Sequence, residues 1–244
     1  MANIAAIFRR EMSAYFSTPV AYVFIVIFLL MAGAFTFFLG AFFDRDQADL
    51  NSLFQFLPWL FVILVPAIAM RLWAEEIDSG TVELLMTLPM TTTQIVVGKF
   101  LAAWAFTTVA LALTFPLWIT INVLGNPDNG AVLAGYIGAV FMAGGYLAVG
   151  AFVSAMTRSQ VIAFVIGVAL CFALTAAGTP LVLNFFSGWA GDAVLDFIRS
   201  ISFLSHFEAI TKGVVDLRDA VFFLSLIGVF LVGNVLAVNR FKDA

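Results

Sequence analysis

Residues Asn129 to Thr157 read NGAVLAGYIGAVFMAGGYLAVGAFVSAMT and contain no Asp, Glu, Lys or Arg. A helix needs roughly 20 apolar residues to cross about 30 Å of hydrocarbon, and this stretch exceeds that. The same freedom from charge holds from Met12 to Phe43, Leu50 to Met70, Phe100 to Pro127, Ser159 to Gly191 and Ala220 to Asn239. Crossing strands would alternate lipid-facing and lumen-facing residues over blocks of about 10, and no such period-two pattern occurs, so a barrel is excluded. Helices satisfy their own backbone hydrogen bonds in lipid, which makes these runs helical despite their Val, Ile, Phe and Thr content.

Composition agrees. The chain is 63% hydrophobic and 11% charged, with 28 Phe among 244 residues, far from the usual make-up of soluble domains. A net charge of −4 gives no basic footprint for nucleic acid. The single cysteine, Cys171, lies mid-run and reads as a small buried apolar side chain, so no intrachain disulfide forms. The first apolar run is too long for a signal peptide, and retention of the N-terminus is expected.

The fold class expected is an all-α integral membrane protein of six crossings in a single domain over 1–244. Residues 1–18 place Ile4, Phe8, Met12 and Tyr15 near one face, with Arg9, Arg10 and Glu11 between them, as in an interfacial amphipathic helix. The crossings are expected at 19–40, 53–70, 94–123, 131–156, 161–183 and 219–238. Pro66 predicts a kink in the second, and Pro116 interrupts the third. Residues 184–218 mix charges with apolar residues at helical spacing, which predicts one or two short external helices lying at, or dipping into, the membrane surface. Within the fourth crossing Gly135, Ala139 and Ala143 recur at four-residue spacing, a face on which two helices approach closely in lipid, within the subunit or across a dimer.

Lys and Arg set the orientation. With the N-terminus inside, Arg9, Arg10, Arg71, Lys99, Arg158, Arg240 and Lys242, seven of the 11 basic residues, fall on the cytoplasmic side. Both termini are then cytoplasmic.

Enzyme signatures are missing: there is no phosphate-binding G-x-x-x-x-G-K-[ST], no H-E-x-x-H and one His only. His206 reads as a surface or interfacial residue. The crossings carry none of the ionisable residues that ion-coupled carriers place at membrane depth, so the energy for any transport has to come from outside the bilayer. That directs attention to the second cytoplasmic segment, Arg71 to Lys99. Asp78 or Ser79 can cap a helix at 79–89, Glu83 suits its positive end, and Pro89 stops it. Val82, Leu85 and Met86 share one face, an apolar stripe suited to a groove on a partner.

The run EEIDSGTVELLMTLPMTTTQIVVGKF, Glu75 to Phe100, resembles the cytoplasmic segment of ABC-2 type transporter permeases. SHFEAITKGVVDLRD, Ser205 to Asp219, is similar to the gliding-motility-associated permease branch. The resemblance implies a non-catalytic permease of the bacterial inner membrane that pairs with a second copy or a homologous permease and binds cytoplasmic ATP-binding subunits. ATP and Mg are then held by the partner, and this chain holds no cofactor or metal and contacts only lipid and protein. It also implies an N-terminal connecting helix containing Arg9 and Arg10, and a coupling helix whose contacts with the ATPase are Gly80, Thr81, Glu83, Leu84, Leu85 and Leu88. Most of the family exports. A self-sufficient channel or carrier, or an ATPase-coupled scaffold that transports nothing, are the other readings.

Overall fold

The computed structural model describes residues 2–44, 47–87, 89–188, 191–213 and 216–240. Among these residues the regular structure is helical, without a strand. The chain opens with α1 (Ala2–Ser17) and α2 (Pro19–Ala34), the latter ending in a π-helical turn, Phe35–Leu39. Then come α3 (Asn51–Ala69), the short α4 (Ala74–Asp78) and α5 (Thr81–Met86), α6 (Thr92–Ala112), α7 (Phe115–Leu124), α8 (Asn129–Ala155) and α9 (Gln160–Ala176). Three short helices, α10 (Pro180–Ser187), α11 (Asp192–Ser200) and α12 (Phe203–Thr211), precede α13 (Leu217–Asn239). Five runs are long and apolar enough to cross a bilayer: Pro19–Leu39, Asn51–Asp78, Thr92–Leu124, Asn129–Ala155 and Leu217–Asn239. A sixth results if α9 and α10, bent by 73° to each other, count as one crossing. The all-α membrane architecture is therefore present, with its fifth crossing broken.

The break has a local cause. Thr179 is extended, as a residue before proline prefers, and Pro180 starts a new helix at N1 instead of continuing the old one. Pro116 is the second residue of α7, where its missing N–H costs nothing, and α6 has already turned at Leu113 and Thr114. Pro58 and Pro66 are held inside α3. Buried hydroxyls fold back onto their own helices, Thr36 to the Ala32 carbonyl at 2.7 Å and Thr107 to that of Ala103 at 2.9 Å, which satisfies these polar groups within the apolar interior.

α8 is the hub. Its glycines admit a neighbour on every side: a Cβ on Gly135 would lie 2.5 Å from the Phe54 ring of α3, and one on Gly138 2.8 Å from Ile210 of α12. On Gly144 it would lie 2.9 Å from Ile227 of α13, and on Gly150 2.5 Å from the Cβ of Ala69. Gly135, Ala139 and Ala143 are all buried, and their face serves packing inside the subunit. Phe203 lies against Gly145 and Ile210 against Gly138, so α12 runs antiparallel to α8 and begins level with the middle of that helix. α12 is thus a re-entrant element within the bundle, whereas α10 and α11 have no buried residue. One end of the bundle gathers α1, α4, α5 and the end of α13 (the terminal end), and the other carries α10 and α11.

Candidate functional site: a charged junction at the terminal end

The site begins where α3 stops. After Ala69 the chain turns through Met70–Trp73 into α4, and Ser154 of α8 holds that turn. Its Oγ donates to the Met70 carbonyl at 2.8 Å and accepts from the backbone N–H groups of Trp73 at 3.2 Å and Ala74 at 3.0 Å. Helix ends leave such groups without partners, and one buried hydroxyl satisfies three of them here. Gly80 then separates α4 from α5 with φ of 71°, a left-handed conformation that a Cβ disfavours. Gly80 is itself the N-cap and supplies no side chain. Ser79, expected as a cap, instead donates back to the Glu75 carbonyl at 2.8 Å, and Asp78 ends α4.

A buried ion network joins these short helices to α1 and α6. Lys99, in the second turn of α6, is 2% exposed. Its Nζ lies 2.8 Å from Glu76 Oε1 of α4 and 3.3 Å from Glu11 Oε1 of α1, and sits 5.4 Å from the centroid of the Trp73 ring. Arg10 of α1 reaches Glu11 at 2.7 Å and Glu76 at 3.6 Å. Two cations and two carboxylates therefore form one neutral cluster across three helices. Burial alone pushes the Glu11 carboxyl up, but Lys99 and Arg10 more than offset this, and it titrates below its ordinary value. The Tyr15 hydroxyl is pushed up, by burial first and then by the charge of Glu11.

The rest of α1 lies along α6. Ile7 packs where Gly98 leaves room, since a Cβ there would come within 2.9 Å of it, and Tyr15 stacks on Phe106 with ring centroids 4.9 Å apart. Asn3 Nδ2 donates to Gln94 at 3.2 Å.

The residues singled out for partner contact divide into groups. Gly80, Thr81, Glu83 and Leu84 face outward, Leu84 at 69% exposure. Leu85 and Val82 are buried against the chain's own core and Met86 packs beside them, so the apolar stripe of α5 faces inward. Six residues cannot form a stable helix alone, and that inward stripe is what holds α5 in place. Leu88 lies outside the described residues. Arg9 and Arg10 are both exposed, and Arg10 is engaged with Glu11 and Glu76 of its own chain.

A helix packed along the third crossing, a two-helix excursion after the second and a re-entrant helix before the last are thus parts of one small bundle. The sequence profile described as ABC-2 family transporter protein matches residues 5–244. The chain belongs to the ABC-2 transporter family. Comparison with curated proteins gave no match. Members of this family are the non-catalytic membrane components of ABC transporters and generally work with ATP-binding subunits.

At its opposite end the ABC-2 permease buries a second polar pair, one not expected from the sequence. His206, expected at a surface, is 8% exposed. Its Nδ1 lies 2.6 Å from Asp219 Oδ1 of α13, its Nε2 lies 3.0 Å from the Ser200 carbonyl, and its ring stacks on Phe222 at 3.9 Å. Both nitrogens thus have an oxygen partner, a carboxylate on one side and a backbone carbonyl on the other. The pair ties α12 to α13. Among the described residues Lys99, His206 and Asp219 are therefore buried in a chain whose crossings read as free of Lys, Arg, Asp, Glu and His, and each has an ionisable partner or an acceptor beside it. The available signal was spacing: His206 falls on the apolar stripe of Phe203, Phe207 and Ile210, and Lys99 lies between the apolar residues Val96 and Phe100.

Proposed function

We propose that this ABC-2 permease is the membrane subunit of an exporter energised by a separate pair of ATP-binding subunits, which hold the ATP and Mg, and that it works as a dimer with a second copy or a homologous permease. The terminal end is the cytoplasmic one, in keeping with the distribution of Lys and Arg, and the membrane is the bacterial inner membrane. The observation that carries this reading is the junction itself. Thr81, Glu83 and Leu84 project from a helix whose other face is buried, and α4 beside it is tied to α1 and α6 by the Lys99 network. A push on α5 would be passed to the third crossing and to α1 together, because moving them separately would part buried opposite charges. Arg9, free on the outer face of α1, completes the contact surface. The likeness of Ser205–Asp219 to gliding-motility-associated permeases suggests that branch, and the His206–Asp219 tie gives the segment a structural role in any branch.

The test is affinity purification from native membranes in mild detergent, comparing wild type with Glu83→Arg, with identification of bound proteins and an ATPase assay. Recovery of an ATP-binding subunit with wild type and its loss with Glu83→Arg supports both the class and the contact. Equal recovery with both moves the contact away from α5, and finding no ATPase under conditions that keep the oligomer intact overturns the proposal in favour of a self-sufficient channel or carrier.

A further inference from the structure

We infer that the terminal end holds a binding site for an aminophospholipid, with the headgroup lodged between α1 and α4. A cleft of about 500 Å³ opens there, lined by Arg10, Arg71 and Lys99 and by Glu11, Glu75 and Glu76. Its level in the membrane follows from chain position. Thr18 lies just before α2 begins and Arg71 just after α3 ends, so the cleft sits where the crossings leave the hydrocarbon, at the depth of lipid headgroups. Tyr15, Thr18 and Arg71 also border a second, smaller space of about 50 Å³, lined on its other sides by Val20, Phe24, Ala67 and Ile68. These are the first turns of α2 and the last turn of α3, just inside the hydrocarbon. A charged cleft therefore continues into an apolar crevice in the order that headgroup and acyl chain follow in a leaflet.

The charges select the headgroup. Positive and negative side chains are balanced in the cleft, which suits a zwitterion better than an anionic lipid. Arg71 is partly exposed, and Glu75 engages its Nε and one terminal nitrogen, which leaves the other nitrogen able to meet a phosphate. Glu75 is 45% exposed, and Glu76 has one carboxylate oxygen, Oε2, that is buried without any hydrogen-bond donor. A buried carboxylate oxygen with no donor is unfavourable, and the soft terminal torsion of a glutamate allows an arriving N–H group to remedy it. An ethanolamine headgroup supplies ammonium N–H groups at about the right distance from its phosphate. A choline headgroup carries the same charge and has none. The inference requires only that the bundle lies in a bilayer and stands apart from the ATPase reading.

The experiment is native mass spectrometry of the full chain in detergent, titrated with phosphatidylethanolamine, its N-monomethyl and N,N-dimethyl forms and phosphatidylcholine, all with the same acyl chains. Bound lipid should fall as N–H donors are removed, with about tenfold weaker retention of phosphatidylcholine than of phosphatidylethanolamine. Arg71→Gln should weaken every member of the series alike, whereas Arg158→Gln, an exposed charge elsewhere at the same end, should weaken none. Equal retention of the ethanolamine and choline lipids in wild type overturns the inference without recourse to any variant. Displacement of the lipid by soluble glycerophosphoethanolamine at equal concentration also overturns it, since the crevice would then contribute nothing.

Discussion

Replacing Lys99 by Met should be the most damaging single change at the junction that leaves the apolar packing in place. Met retains the length and most of the apolar stem, so Trp73 and the neighbouring core keep their contacts. What is lost is the cation 2.8 Å from Glu76 and 3.3 Å from Glu11, in a position whose side chain is 3% exposed. Removing one partner of a buried ion pair costs about 3–5 kcal/mol, because the remaining charge stays buried. Arg10, already 2.7 Å from Glu11 and 3.6 Å from Glu76, offsets part of that, which places the expected loss near the lower limit, about 3 kcal/mol. For a chain of this size such a loss lowers Tm by roughly 6–12 °C. The assay is built into the molecule. Cys171 is the only cysteine and is fully buried, so a thiol-reactive fluorophore reports its exposure on heating without any engineered label. Adding Glu76→Gln to Lys99→Met restores the charge balance, leaving Arg10 with Glu11, and should recover part of the lost Tm. A Tm for Lys99→Met within about 1 °C of wild type would refute the network as a stabilising tie, and so would a double variant less stable than Lys99→Met alone.

Acid should loosen the same junction. The folded Glu11 carboxyl titrates below its ordinary value of 4.5, so its contribution is complete above that value and is lost as pH falls through the lower folded value. Tm measured from pH 7 downward should stay level and then drop in the acid range, and Glu11→Gln should flatten that drop. Gly150→Ala places a Cβ 2.5 Å from that of Ala69, which is fixed to its own helix, and should cost about 1–3 kcal/mol of thermal stability. Gly228→Ala, with nothing within 4 Å, should be neutral or stabilising by up to about 1 kcal/mol through helix propensity. His206→Leu leaves Asp219 buried without its partner and should cost about 3–5 kcal/mol, with faster hydrogen exchange across 203–211; adding Asp219→Leu should recover much of it.

Some of this molecule could be read directly from its residues. Long charge-free runs have one stable form in lipid, so the helical crossings and the interruption at Pro116 follow from chain chemistry alone, whereas 161–183 reads as one crossing and its break at Pro180 emerged only in the structure. The amphipathic pattern of 2–17 belongs to the same class, since it depends on neighbours within a few residues. The small residues of α8 announced close packing but not its partners, because a glycine specifies an absence of bulk and leaves open which helix fills the space.

Other features depended on distance in sequence. The inward stripe of α5 and the outward Leu84 could not be assigned from a six-residue helix, since what it packs against lies elsewhere in the chain. Lys99 scanned as one more positive charge at the cytoplasmic edge, and His206 as one more polar residue outside the membrane. Each became a structural tie only when a carboxylate from another helix was placed against it: Glu11 and Glu76 for the one, Asp219 for the other. By itself, then, the sequence determined that the chain crosses a membrane as helices, because hydrocarbon imposes that on any run so apolar. Which charges are buried, and which helices they bind together, was decided by tertiary structure, because a charge is stable in that interior only when folding brings it an opposite charge or an acceptor.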